Sequence, residues 1–198
     1  MRIGTLGAGQ IATAVARHAL RHGHDVVLSN SRGPRALAEL ALELGAKAGT
    51  REEAAAGDLV LLAVPWPEIP DAVRGLGPFD GRIVMDATNQ FEATGPKPRI
   101  ADLGDLTGSE YVASLLPGAR VVKVFNTVYG RYIEADPRHD AGRQVLFLAG
   151  DDADAVEAVR ALVEQFGFAA VPIGDLRNGG RLMQLGGPLS ALHLLKQD

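Results

Sequence analysis

Gly7-Ala8-Gly9-Gln10-Ile11-Ala12 follows a short apolar run and opens a stretch of helical periodicity. A G-x-G-x-x-A turn between a strand and a helix suits the binding of a dinucleotide pyrophosphate. Gly7 permits the tight turn, Gly9 offers no Cβ to a phosphate approaching the backbone, and Ala12 lets the helix lie close to the sheet. The first N–H groups of that helix have no intrahelical partner and present a partial positive charge to an anion.

The second strand end decides which dinucleotide. NAD sites place an Asp or Glu there, about 20 residues past the glycines, to bind the ribose 2′-hydroxyl. This chain has Ser29-Asn30-Ser31-Arg32 and no acid. Asp25 stands at the opposite end of the strand. Arg32 can fork onto a phosphate, the serine hydroxyls and the Asn30 amide can donate to it, and Arg35 can assist. Pro34 starts a helix whose dipole adds to the attraction. At about 1.5–3 kcal/mol for each charge-assisted hydrogen bond, two or three such contacts suffice to prefer NADP(H) over NAD(H).

Later strand ends carry polar or conformationally special residues: Val64-Pro65-Trp66, then Thr88-Asn89, then Asn126-Thr127. Together they outline a cleft at the carboxyl edge of a sheet, where doubly wound folds bind ligands. Trp66 can lie beside a nicotinamide or wedge into the core; the sequence leaves both open. His18 and His22 have metal-pair spacing, but no carboxylate joins them, and a solvated helix end that complements the dipole is expected. No metal site is expected, and His139 and His193 have no recognisable partners. No catalytic acid, base or nucleophile stands out.

The elements that must position these residues alternate regularly. Strands are expected at Ile3–Leu6, Asp25–Leu28, Leu59–Val64, Arg82–Asp86, Val121–Phe125, Gln144–Ala149 and Phe168–Ile173. Helices are expected over Gln10–His22, 34–44, a short segment capped by Thr50 and Glu53, Pro67–Arg74, Ser109–Leu116 and Asp154–Phe166. Gln90–Leu106 and Ile133–Gly142 read as loops, and the apolar tail Arg181–Leu195 as two short helices broken at Gly186-Gly187-Pro188. The leucines of that tail suit core or a subunit interface. The fold class is α/β, a Rossmann-type doubly wound, mainly parallel sheet with a small C-terminal extension. Residues 1–198 form one domain, with a dinucleotide-binding core to about residue 130 and the extension from about 131 to 198.

The 198-residue chain has no cysteine, which excludes disulfides, thiolate metal sites and cysteine nucleophiles. Its net charge of −4 gives no basic footprint for nucleic acid or an anionic membrane. With no spanning apolar run and no signal-peptide pattern at Met1–Gly7, a soluble cytoplasmic protein is expected.

The Gly7–Ala12 turn, Ser29–Arg32, Val64–Trp66, Val122-Lys123-Val124-Phe125-Asn126-Thr127 and Ala149-Gly150-Asp151-Asp152 occur in an order that resembles the NADPH:F420 oxidoreductase-like proteins, over nearly the whole chain. The resemblance implies hydride transfer between NADP(H) and a flat acceptor such as coenzyme F420 or a flavin, commonly in a homodimer. It places Gly9, Gln10 and Ile11 on the pyrophosphate, Ser29, Asn30, Ser31 and Arg32 on the 2′-phosphate, and Val64, Pro65 and Trp66 beside the nicotinamide. It puts Asn126 and Thr127 where the two rings meet; from that position the Asn126 amide can donate to a ring carbonyl. The archaeal F420 enzymes carry a histidine at the place of Asn126, which leaves the acceptor open. A non-catalytic NADP(H)-binding redox sensor is the second reading, because the residues quoted specify binding rather than proton transfer.

Overall fold

The computed structural model describes residues 1–92 and 99–197. Ten strands form its sheet: β1 (Arg2–Leu6), β2 (Asp25–Ser29), β3 (Lys47–Ala48), β4 (Leu59–Leu62), β5 (Ile83–Asp86), β6 (Arg120–Lys123), β7 (Arg138–His139), β8 (Gly142–Gly150), β9 (Ala169–Pro172) and β10 (Leu195–Lys196). The helices are α1 (Gln10–Arg21), α2 (Ala38–Leu44, entered through a 3-10 turn at Pro34–Leu37), α3 (Arg51–Ala55) and α4 (Ile69–Val73, entered through Trp66–Glu68). They continue with α5 (Gly108–Ser114), α6 (Gly130–Glu134), α7 (Ala153–Gln165) and α8 (Asn178–Met183).

The strand order is β10-β8-β6-β5-β4-β1-β2-β3, with β7 and β9 also paired to β8. From β3 to β6 every pairing is parallel. The chain direction across the sheet reverses between β1 and β4, the topological switch point at which such folds open a crevice. β4 is a run of four leucines and valines buried throughout, as a strand covered on both faces requires. One apolar layer joins α1 and α7 to one face of the sheet. The other joins α3, α4 and α5 to the opposite face.

The extension completes the sheet rather than standing apart from it. β8 runs antiparallel to β6, with Val122 opposite Gly150, and β9 runs parallel to β8. The sheet is thus mainly parallel. Helix starts agree with their chemistry: Thr50 and Glu53 form both bonds of a capping box, Thr107 and Glu110 form another, and Asp152 caps α7.

Three expectations need correction. Ile133–Gly142 is not all loop: its start lies in α6, and β7 crosses its middle. The tail holds a single helix, α8, which starts earlier than expected; turns through Gly186-Gly187-Pro188 then lead to β10 instead of a second helix. His18 is not solvated. It is 3% exposed, stacks on Phe166 at 5.4 Å and meets Phe168 edge-on. Its Nε2 donates to the Ile133 carbonyl at 2.7 Å. The aromatics that enclose it come from the end of α7 and the start of β9, far along the chain. The central part of the expected Gln90–Leu106 loop, residues 93–98, lies outside the described residues.

Candidate functional site

The chain leaves β1 at Leu6 and turns at Gly7, whose φ is +108°. A Cβ there would stand 2.2 Å from the Ala63 carbonyl oxygen, so the turn closes against the end of β4 only with glycine. The Gly7 N–H donates to the Ser29 carbonyl at 3.1 Å, which fixes the turn to the end of β2. Gly9 is different. Its backbone is extended, it N-caps α1 without any side-chain cap, and a Cβ there would meet no protein atom within 4 Å. The space it would enter belongs to a cavity of about 970 Å³ that Gly7, Ala8 and Gly9 line. Open ground over a glycine, facing uncapped helix N–H groups, fits a pyrophosphate.

The cavity extends over Ser29, Asn30, Ser31 and Arg32 at the end of β2. Ser31 and Arg32 are exposed, and among the described residues no carboxylate pairs with the Arg32 guanidinium. Two expected donors are otherwise engaged. The Ser29 hydroxyl is buried and gives its proton to the Thr5 carbonyl at 2.6 Å, so it cannot donate to a phosphate. The Asn30 Oδ1 accepts from the Arg32 N–H at 3.0 Å, an Asx-type turn that leaves only the Asn30 amide hydrogens free. Ala36, Leu37 and Leu40 build an apolar wall, and Val64, Pro65 and Ala72 build the facing one. An apolar slot between a phosphate cradle and a basic corner matches the flat base of an adenosine.

The remaining expected residues do not line this cavity. Trp66 is 8% exposed and tilts against Tyr111 at 5.3 Å within the core, so the wedge alternative holds for it. Ile11 packs on the core, and the exposed Gln10 lies against Gly130 at the start of α6. Thr88 is 3% exposed and donates its hydroxyl to Asp86 Oδ1 at 2.6 Å. Thr127 is buried. Asn126 donates to Asn89 Oδ1 at 3.2 Å and to the Met183 carbonyl at 2.9 Å. Both amide hydrogens are spent, and only its Oδ1 stands unpartnered. The expectation that Asn126 donates to a ring carbonyl is therefore corrected: its amide ties the ends of β5 and β6 to α8.

Beneath these turns lies a polar network that the sequence did not announce. Asp86 and Lys123 end adjacent parallel strands, 0% and 1% exposed, with Lys123 Nζ 3.3 Å from Asp86 Oδ2. Asp86 Oδ1 accepts from the Thr88 N–H at 2.9 Å, and Asp86 Oδ2 accepts from the Ser109 hydroxyl. Lys123 also donates to the Thr88 carbonyl at 3.2 Å. The Thr88–Asn89 turn is thus held from below by both charges. Phe125, fully buried, takes a φ of +65°, a strained conformation for an aromatic residue directly before Asn126. Arg51, Glu68 and Asp71 also line the cavity and were not foreseen. The signal for Arg51 was its place just past β3, a strand of two residues too short to read from sequence.

No group of three or more metal-ligating side chains occurs among the described residues, and none of their helices is long and apolar enough to cross a membrane. Fold and cleft together define a Rossmann-type nucleotide-binding protein. Residues 2–90 match the family model described as NADP oxidoreductase, coenzyme F420-dependent. The chain is 39% identical to the hypothetical protein SMa0349 from Sinorhizobium meliloti, with a TM-score of 0.89 over 99% of this chain and 95% of that one. It resembles in fold a candidate F420-dependent NADP reductase from Arthrobacter sp. FB24, at 24% identity and a TM-score of 0.79 over 89% and 86% of the two chains. The metalloreductase STEAP3 of Rattus norvegicus is 31% identical over 88% of this chain, but the match spans only 34% of that protein. The chain thus has about a third of the length of the curated metalloreductases it matches. Through residues 2–90 the chain is related to the coenzyme F420-dependent NADP oxidoreductases.

Proposed function

We propose that the chain binds NADP(H) and exchanges a hydride between its nicotinamide and a flat acceptor, coenzyme F420 or a flavin. The observation that carries this reading is the cavity that joins the open face of Gly9 to the acid-free end of β2, where Arg32 has no carboxylate partner among the described residues. The α1 N–H groups would hold the pyrophosphate, Arg32 and Ser31 the 2′-phosphate, and Leu37, Leu40 and Ala72 would cover the adenine. Bound there, NADPH supplies a hydride, two electrons with one hydrogen nucleus, and a proton from water completes the reduction of the acceptor. The turns after β5 and β6, which do not line this cavity, would flank the nicotinamide and keep its surroundings rigid. Hydride transfer asks for that: two rings kept close and water kept out, with little proton chemistry from side chains.

The test is a fluorescence titration with NADPH and NADH, followed by nicotinamide absorbance with F420, a flavin and a chelated oxidised metal ion as acceptors; the last is chosen because of the metalloreductase relatives. NADPH is expected to bind better than NADH and to be consumed with F420 or the flavin. Arg32→Ala is expected to weaken NADPH about tenfold or more and NADH far less. Equal binding of the two nucleotides by the native chain would overturn the reading. Tight NADPH binding without turnover on any acceptor would move the protein to the class of redox sensors.

A further inference from the structure

We infer that Arg51 is a second determinant of NADP(H) over NAD(H), a cation at the start of α3 aimed at the 2′-phosphate beside the turn that carries Arg32. The inference rests on the NADP(H) reading above and assigns that reading a residue outside the Ser29–Arg32 turn.

Register brings Arg51 to the site. β2 and β3 are parallel, with Val27 opposite Lys47 and Leu28 opposite Ala48. The Gly49 N–H continues the ladder onto the Leu28 carbonyl at 2.9 Å. Two parallel chains leaving the sheet in step place Thr50 and Arg51 at the level of Asn30 and Ser31, about one strand spacing away. Arg51 accordingly lines the same cavity as Ser31 and Arg32.

Its guanidinium is half-buried and held. Nη1 donates to the Asp71 and Ala72 carbonyls at 2.5 and 3.2 Å, covering carbonyls near the end of α4 that have no helical partner. A guanidinium carries five N–H donors in a fixed plane, so this anchorage leaves Nη2 and Nε to bind elsewhere. The nearest carboxylate, Glu52, is 3.8 Å from Nη2 and largely exposed. Among the described residues the acids that line the cavity do not pair with Arg51: Asp71 pairs with Arg74, and Glu68 makes no ion pair with it. A preorganised arginine whose Nη2 and Nε make no hydrogen bond among the described residues, sharing a pocket with Arg32, which pairs with no carboxylate among them, is arranged for a dianion.

The test compares Kd values for NADPH and NADH in the native chain and in Arg51→Gln, Arg51→Lys and Arg32→Gln variants, by nicotinamide fluorescence at low and high salt. Arg51→Gln is expected to weaken NADPH about tenfold, to change NADH by less than about twofold, and to flatten the salt dependence of NADPH binding. Arg51→Lys keeps the charge and is expected to retain most of the preference. Equal losses for both nucleotides in Arg51→Gln would assign Arg51 to the wall alone and overturn the inference. So would a Lys variant that loses the preference as fully as the Gln variant. If Arg32→Gln discriminates and Arg51→Gln does not, only the role of Arg51 falls. If the native chain shows no preference for NADPH, the NADP(H) reading falls with it.

Discussion

Asn89 and Asn126 hold each other: the Asn126 amide donates to Asn89 Oδ1 at 3.2 Å, and the Asn89 amide donates back to the Asn126 carbonyl at 3.0 Å. The turns after β5 and β6 are thereby locked side by side. The third contact, from Asn126 to the Met183 carbonyl, fastens α8 to both. Asn126→Ala leaves two acceptors without donors in a buried place. It is expected to cost about 1–3 kcal/mol of stability, measured by urea unfolding. Proteolysis should then start in the segment after Gln184.

The two glycines of the first turn are expected to separate stability from binding. Gly9→Val enters open space with an ordinary extended backbone and should change stability by less than about 1 kcal/mol. It should lower NADPH affinity at least about tenfold, because its side chain fills the pyrophosphate position. Gly7→Ala meets the Ala63 carbonyl at a positive φ and should destabilise the chain by about 3 kcal/mol or more. Thermal unfolding with and without nucleotide reads both effects.

Lys123 and Asp86 form a buried pair, and removing one partner strands the other. Lys123→Met is expected to cost about 3–5 kcal/mol in chemical denaturation. The double variant Lys123→Met with Asp86→Asn keeps an acceptor for the Thr88 N–H and removes the orphan charge, so it should cost less than the single one. A double variant at least as unstable as the single would show that the charges contribute more than they cost.

His18 gives the molecule a built-in acid sensitivity. Burial lowers its pKa from the ordinary 6.5, and the hydrogen bond to Ile133 opposes that only in part. The folded chain therefore binds fewer protons here than the unfolded chain does. This contribution to stability is complete above pH 6.5 and is lost as the pH falls below it toward the folded value. His18→Gln keeps a donor for the Ile133 carbonyl and should flatten stability between about pH 6.5 and 5. A native chain whose unfolding midpoint stays level across that window would contradict the buried neutral imidazole.

The parts of this fold legible in the sequence are those whose cause is local. The glycine turn, the Thr50–Glu53 capping box and the unbroken apolar run of β4 each carry their reason within a few residues. His18 was misread because Phe166, Phe168 and the Ile133 carbonyl reach it from distant elements. Ser29 and Thr88 have the right residue type at the right strand end, yet both hydroxyls turn inward onto partners that only the sheet register supplies. Asp86 ends one expected strand and Lys123 sits inside another, and nothing in either segment states that β5 and β6 are neighbours. Arg51 was hidden by a strand of two residues.

β3 and β10 stand at opposite edges of the sheet with six strands between them, a separation of roughly 30 Å at ordinary strand spacing. Under the proposed function, the choice of nucleotide is made at the β3 edge, and the acceptor would be met beyond the turns after β5 and β6, toward α8. Every residue that lines the nucleotide cavity lies at or before Ala72, so nucleotide choice and what the later chain carries form separable modules of heredity. Exchanging the sequence after Gly142 between relatives should change what is reduced while the preference for NADPH passes on intact.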